Sequence, residues 1–535
     1  MNFRIVTLIV LFIATNIVAQ NNQKVLFSIN DEPVFTQEFI DVYKKNSALI
    51  EDSSKKGIEN YLNLYVNYKL KVKQAYELSL DTFPKFKNEL NSYKESLIAP
   101  YLKDKKVSEH LINEAYERIL KEVDVSHILL FLKPDATPKD TLDAYNKLIE
   151  ARNLVMNGNH FSDVALKYSE DPTVQQNGGR IGYFTGLQMV YPFENKAFTT
   201  SIGDVSMPFR TKFGYHILKV HNIRKSKGDV EVAHIMIKND SSNAKIKIDS
   251  IYNQISTKNA NFFELATQFS DDKASAIQGG RLNKFGTGQM VESFAVEAFK
   301  LENEGEVSKP FQTQFGWHIV KLLKKYPIES FDKLKEKITQ QVENDERSNL
   351  IGETVIKRLF KEYNVAVNED ALQKLNTDNW KDSPEKFTSN LLTIKDIHIP
   401  QSSFISYLKT VKNTDINKAF AGFKEKEVIQ YYKQHIETDN EEFALMFKEF
   451  KEGLLLFDLI EKKVWNTSKD SLALANYFNQ NKVEKYQNKE LSNIKGTVIS
   501  DFQEYLEKQW IKDLYLKYNV VFNKSEKRKL LKLKI

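Results

Sequence analysis

Eight polar side chains recur in two matched sets along this sequence: His127, Asp171, Thr211 and His216, then His234, Asp272, Thr313 and His318. Each set places an early His in a strand-like run, an acid after a helical stretch, a Thr, and a late His in a second strand-like run. The histidines sit among Ile, Leu, Val and aromatic residues, so their rings belong inside the protein or along a pocket rather than in open water. Five apolar positions accompany each set: Ile181, Phe184, Met189, Phe193 and Phe213, and again Leu282, Phe285, Met290, Phe294 and Phe315. Met with several Phe can wall a small concave apolar site. Ordinary core packing accounts for any one of these residues taken singly. A decaying structural repeat, however, keeps apolar character and loses particular His, Thr, Met and Phe identities, so the joint recurrence points to a site.

Other chemistries fit the inventory less well. Two His and one Asp can ligate a metal, but the histidines lie about 90 residues apart within each set, without the i, i+4 spacing of zinc-binding helices. A Ser-His-Asp triad needs a nucleophile elbow, and no G-x-S-x-G occurs; no phosphate-cradling G-x-x-x-x-G-K-[ST] occurs either. The absence of Cys removes disulfides, thiolate metal sites and cysteine nucleophiles together. No metal and no cofactor is expected. The pairs Gly178-Gly179 and Gly279-Gly280 read as turn residues ahead of a strand, where positive φ or close approach is needed.

The elements that must position these residues are delimited by repetition. HILL at His127 matches HIMI at His234, NGGRIGYFTGLQMVYPF from Asn177 matches QGGRLNKFGTGQMVESF from Gln278, and TKFGYHILKV from Thr211 matches TQFGWHIVKL from Thr313. The offsets are 107, 101 and 102 residues, so each copy is a domain of about 100 residues. Of 19 Gly, 14 fall between Gly158 and Gly316, and the flanks are built differently. Residues 58–120 carry a helical stripe of Tyr61, Tyr65, Tyr68, Val72 and Tyr76, and residues 330–364, 402–464 and 497–518 read as long amphipathic helices. A fainter repeat links the flanks. KVLFSINDEPVFTQEFIDVY from Lys24 is similar to LLTIKDIHIPQSSFISYL from Leu391, each a strand, a turn near Pro33 or Pro400, and a helix; EYNVAVN from Glu362 is similar to KYNVVFN from Lys517.

A length of 535 residues exceeds what one core organises and implies several domains. With 41% hydrophobic and 28% charged residues the chain is globular rather than disordered. Net charge is +6, and the run from Lys524 to Lys534 supplies most of it, so the body is nearly neutral and nucleic-acid binding is not expected. That basic run reads as a solvated, disordered end. The opening MNFRIVTLIVLFIATNIVAQ, with Arg4, an apolar run from Ile5 to Val18 and Ala19 before Gln20, reads as a signal peptide cleaved after Ala19. No second run of spanning length follows, and the expected mature chain has no membrane span.

The two copies resemble parvulins, the small isomerases that speed cis/trans interconversion of X-Pro bonds, over residues 123–225 and 229–326. His-Ile-Leu, a Gly-Gly turn, Gly-Gln-Met-Val with a following Phe, and Phe-Gly-Tyr/Trp-His-Ile all occur in the family pattern, though the first copy has Leu-Gln-Met-Val for the third motif, and His-Ile-Met-Ile stands for the first motif in the second copy. The resemblance implies a four-stranded antiparallel sheet with flanking helices, a hydrogen-bonded strip of two His and the Thr, and Met and Phe residues holding the proline ring. Asp171 and Asp272 stand where many parvulins carry Cys, and Arg180 and Arg281 stand where Asp is usual after Gly-Gly. The loops after His127 and His234 lack the clustered cations by which some parvulins bind phosphorylated Ser/Thr-Pro.

The whole reads as a multidomain α+β chain: signal peptide 1–19, helical region 20–122, parvulin domains 123–225 and 229–326, and helical region 327–535. In that order it resembles the periplasmic chaperone-isomerases of the SurA and PpiC type. The resemblance implies an isomerase and folding chaperone for unfolded or proline-containing exported polypeptides, with outer-membrane proteins as the expected clients. The alternative is a non-catalytic periplasmic holdase that uses its parvulin domains as client-docking platforms.

Overall fold

The computed structural model describes residues 24–47, 54–133, 136–239, 243–376, 379–411 and 415–532; the signal-peptide expectation lies outside them. The chain opens with β1 (Val25–Ile29), β2 (Glu32–Phe35), α1 (Thr36–Lys45), α2 (Lys55–Glu77), α3 (Pro84–Ile98) and α4 (Lys105–Ile119). The first αβ copy comprises β3 (Lys121–Phe131), α5 (Pro138–Met156), α6 (Phe161–Tyr168), α7 (Val174–Asn177), β4 (Arg180–Phe184), α8 (Tyr191–Thr199), β5 (Phe209–Thr211) and β6 (Gly214–Lys225). The second repeats it with β7 (Asp229–Lys238), α9 (Ala244–Lys258), α10 (Phe262–Phe269), α11 (Lys273–Ala276), β8 (Phe285–Gly286), α12 (Glu292–Lys300), β9 (Phe311–Thr313) and β10 (Gly316–Tyr326). Then follow α13 (Phe331–Asn344), α14 (Arg347–Glu362), β11 (Ala366–Val367), α15 (Glu369–Gln373), α16 (Asn379–Asp382), β12 (Asn390–Ile394), β13 (Ile397–Pro400), α17 (Gln401–Leu408) and α18 (Ile416–Asp439). The last elements are α19 (Glu441–Ile460), α20 (Asn466–Lys469), α21 (Ser471–Asn481), α22 (Leu491–Lys517), β14 (Val520–Phe522) and α23 (Lys524–Leu530).

The two copies form antiparallel sheets of the same order, β4-β3-β6-β5 and β8-β7-β10-β9. Each central strand is apolar on both faces because each face is covered, and the two faces build separate cores. In the first copy Ile128, Leu130 and Ile217 pack under α5 and α6, while Val123, Val125, Leu218 and Val220 pack under α8. The chain condenses into two units, Met1–Ala99 with Gln430–Ile535, and Pro100–Ile429. Composition alone divides it near 122 and 327, but α4, α13 and α14 belong to the same unit as the two αβ copies.

The faint repeat corresponds to one local architecture built twice. β1 and β2 form a hairpin, and β14 adds to β1 with Phe27 opposite Phe522; β12 and β13 form a hairpin, and β11 adds to β12 with Leu392 opposite Val367. Asn523 and Asn368 follow the added strands, each donating its N–H to Leu26 or Leu391 and capping the next helix with its side chain. The turns lie at Asn30 and Lys395, with φ of 53° and 54°, not at the prolines. Pro33 and Pro400 sit in the edge strands β2 and β13, where a missing N–H costs no ladder bond. The basic end also departs from expectation. Capped by Asn523, residues Lys524–Leu530 are helical, Leu530 is fully buried in the core of its unit, and Lys527 pairs with Glu59 at 2.9 Å. A single apolar side chain at the right helical position anchors what composition reads as a free tail.

Candidate functional site

Strand register brings the early and late histidines together. His216 lies opposite Leu129, two residues on from His127, and His318 lies opposite Met236, two residues on from His234. Side chains alternate faces along a strand, so each pair occupies one face as diagonal neighbours. The ring centroids stand 5.7 Å apart in both copies, at interplanar angles of 21° and 19°. All four rings are buried. The Gly-Gly turn fixes the strand that carries the early histidine. Gly179 and Gly280, at φ of 80° and 81°, accept the N–H of His127 and of His234, and a Cβ on either would lie 2.5 or 2.2 Å from the histidine's carbonyl oxygen.

Each histidine is tied at Nε2. His127 meets Asp171 Oδ2 at 3.0 Å and His234 meets Asp272 Oδ2 at 2.7 Å; His216 and His318 meet Thr211 and Thr313 Oγ1 at 2.8 Å. The threonine hydroxyls also accept the N–H of Phe213 and Phe315 at 3.1 Å. All four Nδ1 atoms are buried without a partner. The copies differ at the acid. Asp171 Oδ1 accepts the O–H and N–H of Thr173, whereas Asp272 Oδ2 accepts the hydroxyl of Ser275, which also lies 3.0 Å from His234 Nε2.

Burial sets the charge state. It pushes His216 down to about 3 and His318 to about 4, helped by the neighbouring early histidine, and it lowers His127 and His234 despite their carboxylates. Asp171 and Asp272 are themselves held low, because the raising effect of burial is outweighed by hydrogen bonds from Thr173 and Ser275 and by the histidines. The site is therefore a pair of neutral imidazoles beside a carboxylate, and the His–Asp contact is an N–H···O⁻ hydrogen bond. All four histidine pKa values lie below the ordinary 6.5, so the unfolded chain binds protons that the folded sites refuse. Their stabilising contribution is complete above that value and is lost as pH falls towards the folded values. The melting temperature drops between about pH 6.5 and pH 4, and His216→Gln with His318→Gln makes the drop shallower in calorimetry.

The apolar residues close one side of each pair. Phe193 meets both rings in T-shaped contact, with centroids 5.7 Å from His127 and 5.5 Å from His216, and Phe294 repeats this at 5.6 and 5.4 Å. Phe184 and Phe285 stand behind them, and Ile181, Met189, Leu282 and Met290 pack partly buried on the same clusters. Phe213 and Phe315 stand outside the buried ring cluster: their side chains are half exposed, and their backbone N–H groups donate to the threonines. Phe209 and Phe311 also belong to the cluster, stacked on His216 and His318 at 5.5 and 5.6 Å. Their signal was present in the sequence, as Pro-Phe-x-Thr at 208–211 and 310–313. Arg180, at the unusual position after Gly-Gly, donates to buried Asp124 at 2.8 Å.

Residues 127–222 and 230–324, the two copies that share this sheet order and paired histidines, match the rotamase family of PPIC-type PPIase domains. The chain carries two such domains in tandem. It is similar to chaperone SurA of Pseudomonas fluorescens, 30% identical over 227 residues, which are 41% of this chain and 53% of the relative. Chaperone SurA of Nitrosococcus oceani is 27% identical over 263 residues, 48% of this chain and 59% of the relative. The chain thus spans little more than half the length of these curated relatives. Among solved structures, the peptidylprolyl isomerase PrsA of Bacillus anthracis shares 29% identity over 26% of this chain and 63% of its own, with a TM-score of 0.19.

Proposed function

We propose that the chain is a peptidyl-prolyl cis–trans isomerase and a folding chaperone for unfolded, proline-containing exported polypeptides, acting in the periplasm, with outer-membrane proteins among its clients. The observation that carries the isomerase reading is the duplicate construction of one site: two buried neutral histidines, tied to Asp and Thr, against a Phe and Met wall. X-Pro rotation faces a barrier of about 18–20 kcal/mol because the twisted amide loses resonance. Nothing covalent is required to lower it. An apolar wall strips water from the imide and disfavours its charge-separated planar form, while a nearby N–H favours the pyramidal nitrogen of the twisted state.

The histidine ties indicate how the network is polarised. A carboxylate partner makes Nε2 of the early histidine a donor and leaves its Nδ1 an acceptor. The threonine hydroxyl accepts a backbone N–H and keeps both a donor and a second lone pair for Nε2 of the late histidine, so it holds that ring in either tautomer. The acid tunes the network and neither His is a nucleophile.

The test is a prolyl-peptide isomerisation assay on the full chain with His216→Ala, His318→Ala, and both. Each single variant removes one site's turnover and the double variant removes all of it. Absence of turnover in the unsubstituted chain favours the docking-platform alternative, and unchanged turnover in the double variant contradicts the site assignment.

A further inference from the structure

Three of the positions at which the two copies diverge beside the prolyl wall set the first apart. Leu187, Tyr191 and Glu194 of the first correspond to Gly288, Glu292 and Ala295 of the second. Leu187 and Gly288 both take left-handed backbone, at φ of 66° and 81°. Glycine adopts it freely, whereas a leucine there is strained and must be held.

The hold comes from the helical frame. The Leu187 side chain packs on the apolar cluster of Leu111 and Ala115 from α4 and Ile338 and Val342 from α13. Its N–H donates to Glu194 Oε2 at 2.7 Å. Glu194 is fully buried, and its Oε1 accepts from Nη1 of Arg118 in α4 at 3.1 Å and from Nη2 of Arg347 at the start of α14. Arg347, also fully buried, donates as well to Asp345, and its guanidinium lies 4.3 Å from the Tyr191 ring centroid. Glu194 follows Phe193 directly, and Met189 lies between Leu187 and Tyr191, so every one of these contacts is within two residues of the wall. Gly288 and Ala295 offer no side chain for such a hold.

We propose that Arg347 is a positioning residue for the first prolyl site alone: through Glu194 and Leu187, helices α4, α13 and α14 hold the Met189–Phe193 wall, while the loop before the second wall is tied to the first copy instead, Thr287 donating to Glu122 at 2.8 Å and accepting from Gln188 at 3.0 Å. A buried carboxylate that loses a guanidinium moves towards water or towards protonation, and either displaces α8. Displacements of about 1 Å cost about a hundredfold in rate. The inference rests on reading the first copy as a prolyl site.

The experiment uses the full chain with one site silenced at a time. With Met290→Ala and Phe294→Ala silencing the second site, Arg347→Met lowers first-site kcat/KM about tenfold or more. With Met189→Ala and Phe193→Ala silencing the first, Arg347→Met leaves the second site within about twofold. Leu187→Gly keeps every charge and relieves the left-handed strain; it also lowers the first-site rate and speeds amide exchange over 185–199, but not over 286–300, without a fall in melting temperature. Should Arg347→Met prevent folding, Leu187→Gly decides alone. Equal slowing of both sites by Arg347→Met, or unchanged exchange and rate in Leu187→Gly, overturns the inference. If the unsubstituted chain turns over no prolyl peptide, the isomerase reading fails, and exchange over 185–199 still reports whether the frame holds the wall.

Discussion

Met290→Ala with Phe294→Ala abolishes turnover at the second site while the first continues. Phe294 is the wall residue that touches both histidines and lies against Phe285 and Phe311, so its removal opens the apolar side of the site to water. Water then solvates the planar imide and restores the barrier that desolvation had lowered. A loss of about a hundredfold or more in kcat/KM corresponds to about 2.7 kcal/mol of transition-state stabilisation. Truncating a buried Phe also costs about 3–5 kcal/mol of stability. Circular dichroism of the separate copy, and Met290→Ala alone at a partly buried position, therefore accompany the kinetics. A folded copy that keeps its full rate without both side chains contradicts the site assignment.

A chain that joins residues 24–99 to 430–532 through a flexible linker folds by itself and suppresses aggregation of an unfolded outer-membrane β-barrel. Its folding follows from a shared core, in which Leu26, Phe27, Phe39, Leu62 and Leu70 pack with Leu455, Leu459, Trp510 and Leu514. Polar ties match across the two segments: β14 pairs with β1, Trp510 donates to Gln74 at 2.7 Å, and Lys69 bridges to Glu452 at 3.0 Å. Holding needs apolar area without a fixed partner. This unit presents Leu64, Phe83, Leu472, Val483 and Leu516 to solvent, the last 88% exposed. Light scattering checks the expectation. If the joined unit folds yet leaves aggregation unchanged, while the isolated 123–326 pair holds clients, these helices only scaffold the parvulin pair.

Much of the site was legible because two copies preserve the same side chains. His127, Thr211 and His216 stand out by recurrence, and the structure brings them to one face of adjacent strands through a register that sequence does not print. Phe209 is harder to read than Phe213, because its Pro-Phe-x-Thr signal precedes the longer matching block that includes Phe213. The distinction between them is the end of a strand: Phe209 lies in β5, whereas Phe213 lies in the turn between β5 and β6, where the period of two that would put it on the face of Thr211 no longer holds.

The sequence by itself determined the local and the repeated. It carried two domains of one kind, their polar and apolar inventory, the glycines at positive φ, and the strand-turn-helix pattern of the flanks, since each of these depends on residues close together or on comparison of one copy with the other. Tertiary structure alone decided which distant segments complete one another. Val520–Phe522 closes the sheet begun by Val25–Ile29 almost five hundred residues earlier, Leu530 anchors a basic end that composition reads as free, and Arg347 meets Glu194 in a buried ion pair. Such pairings leave no periodicity behind. A buried charge is tolerated only where the fold delivers its partner, and the partner's place along the chain is free.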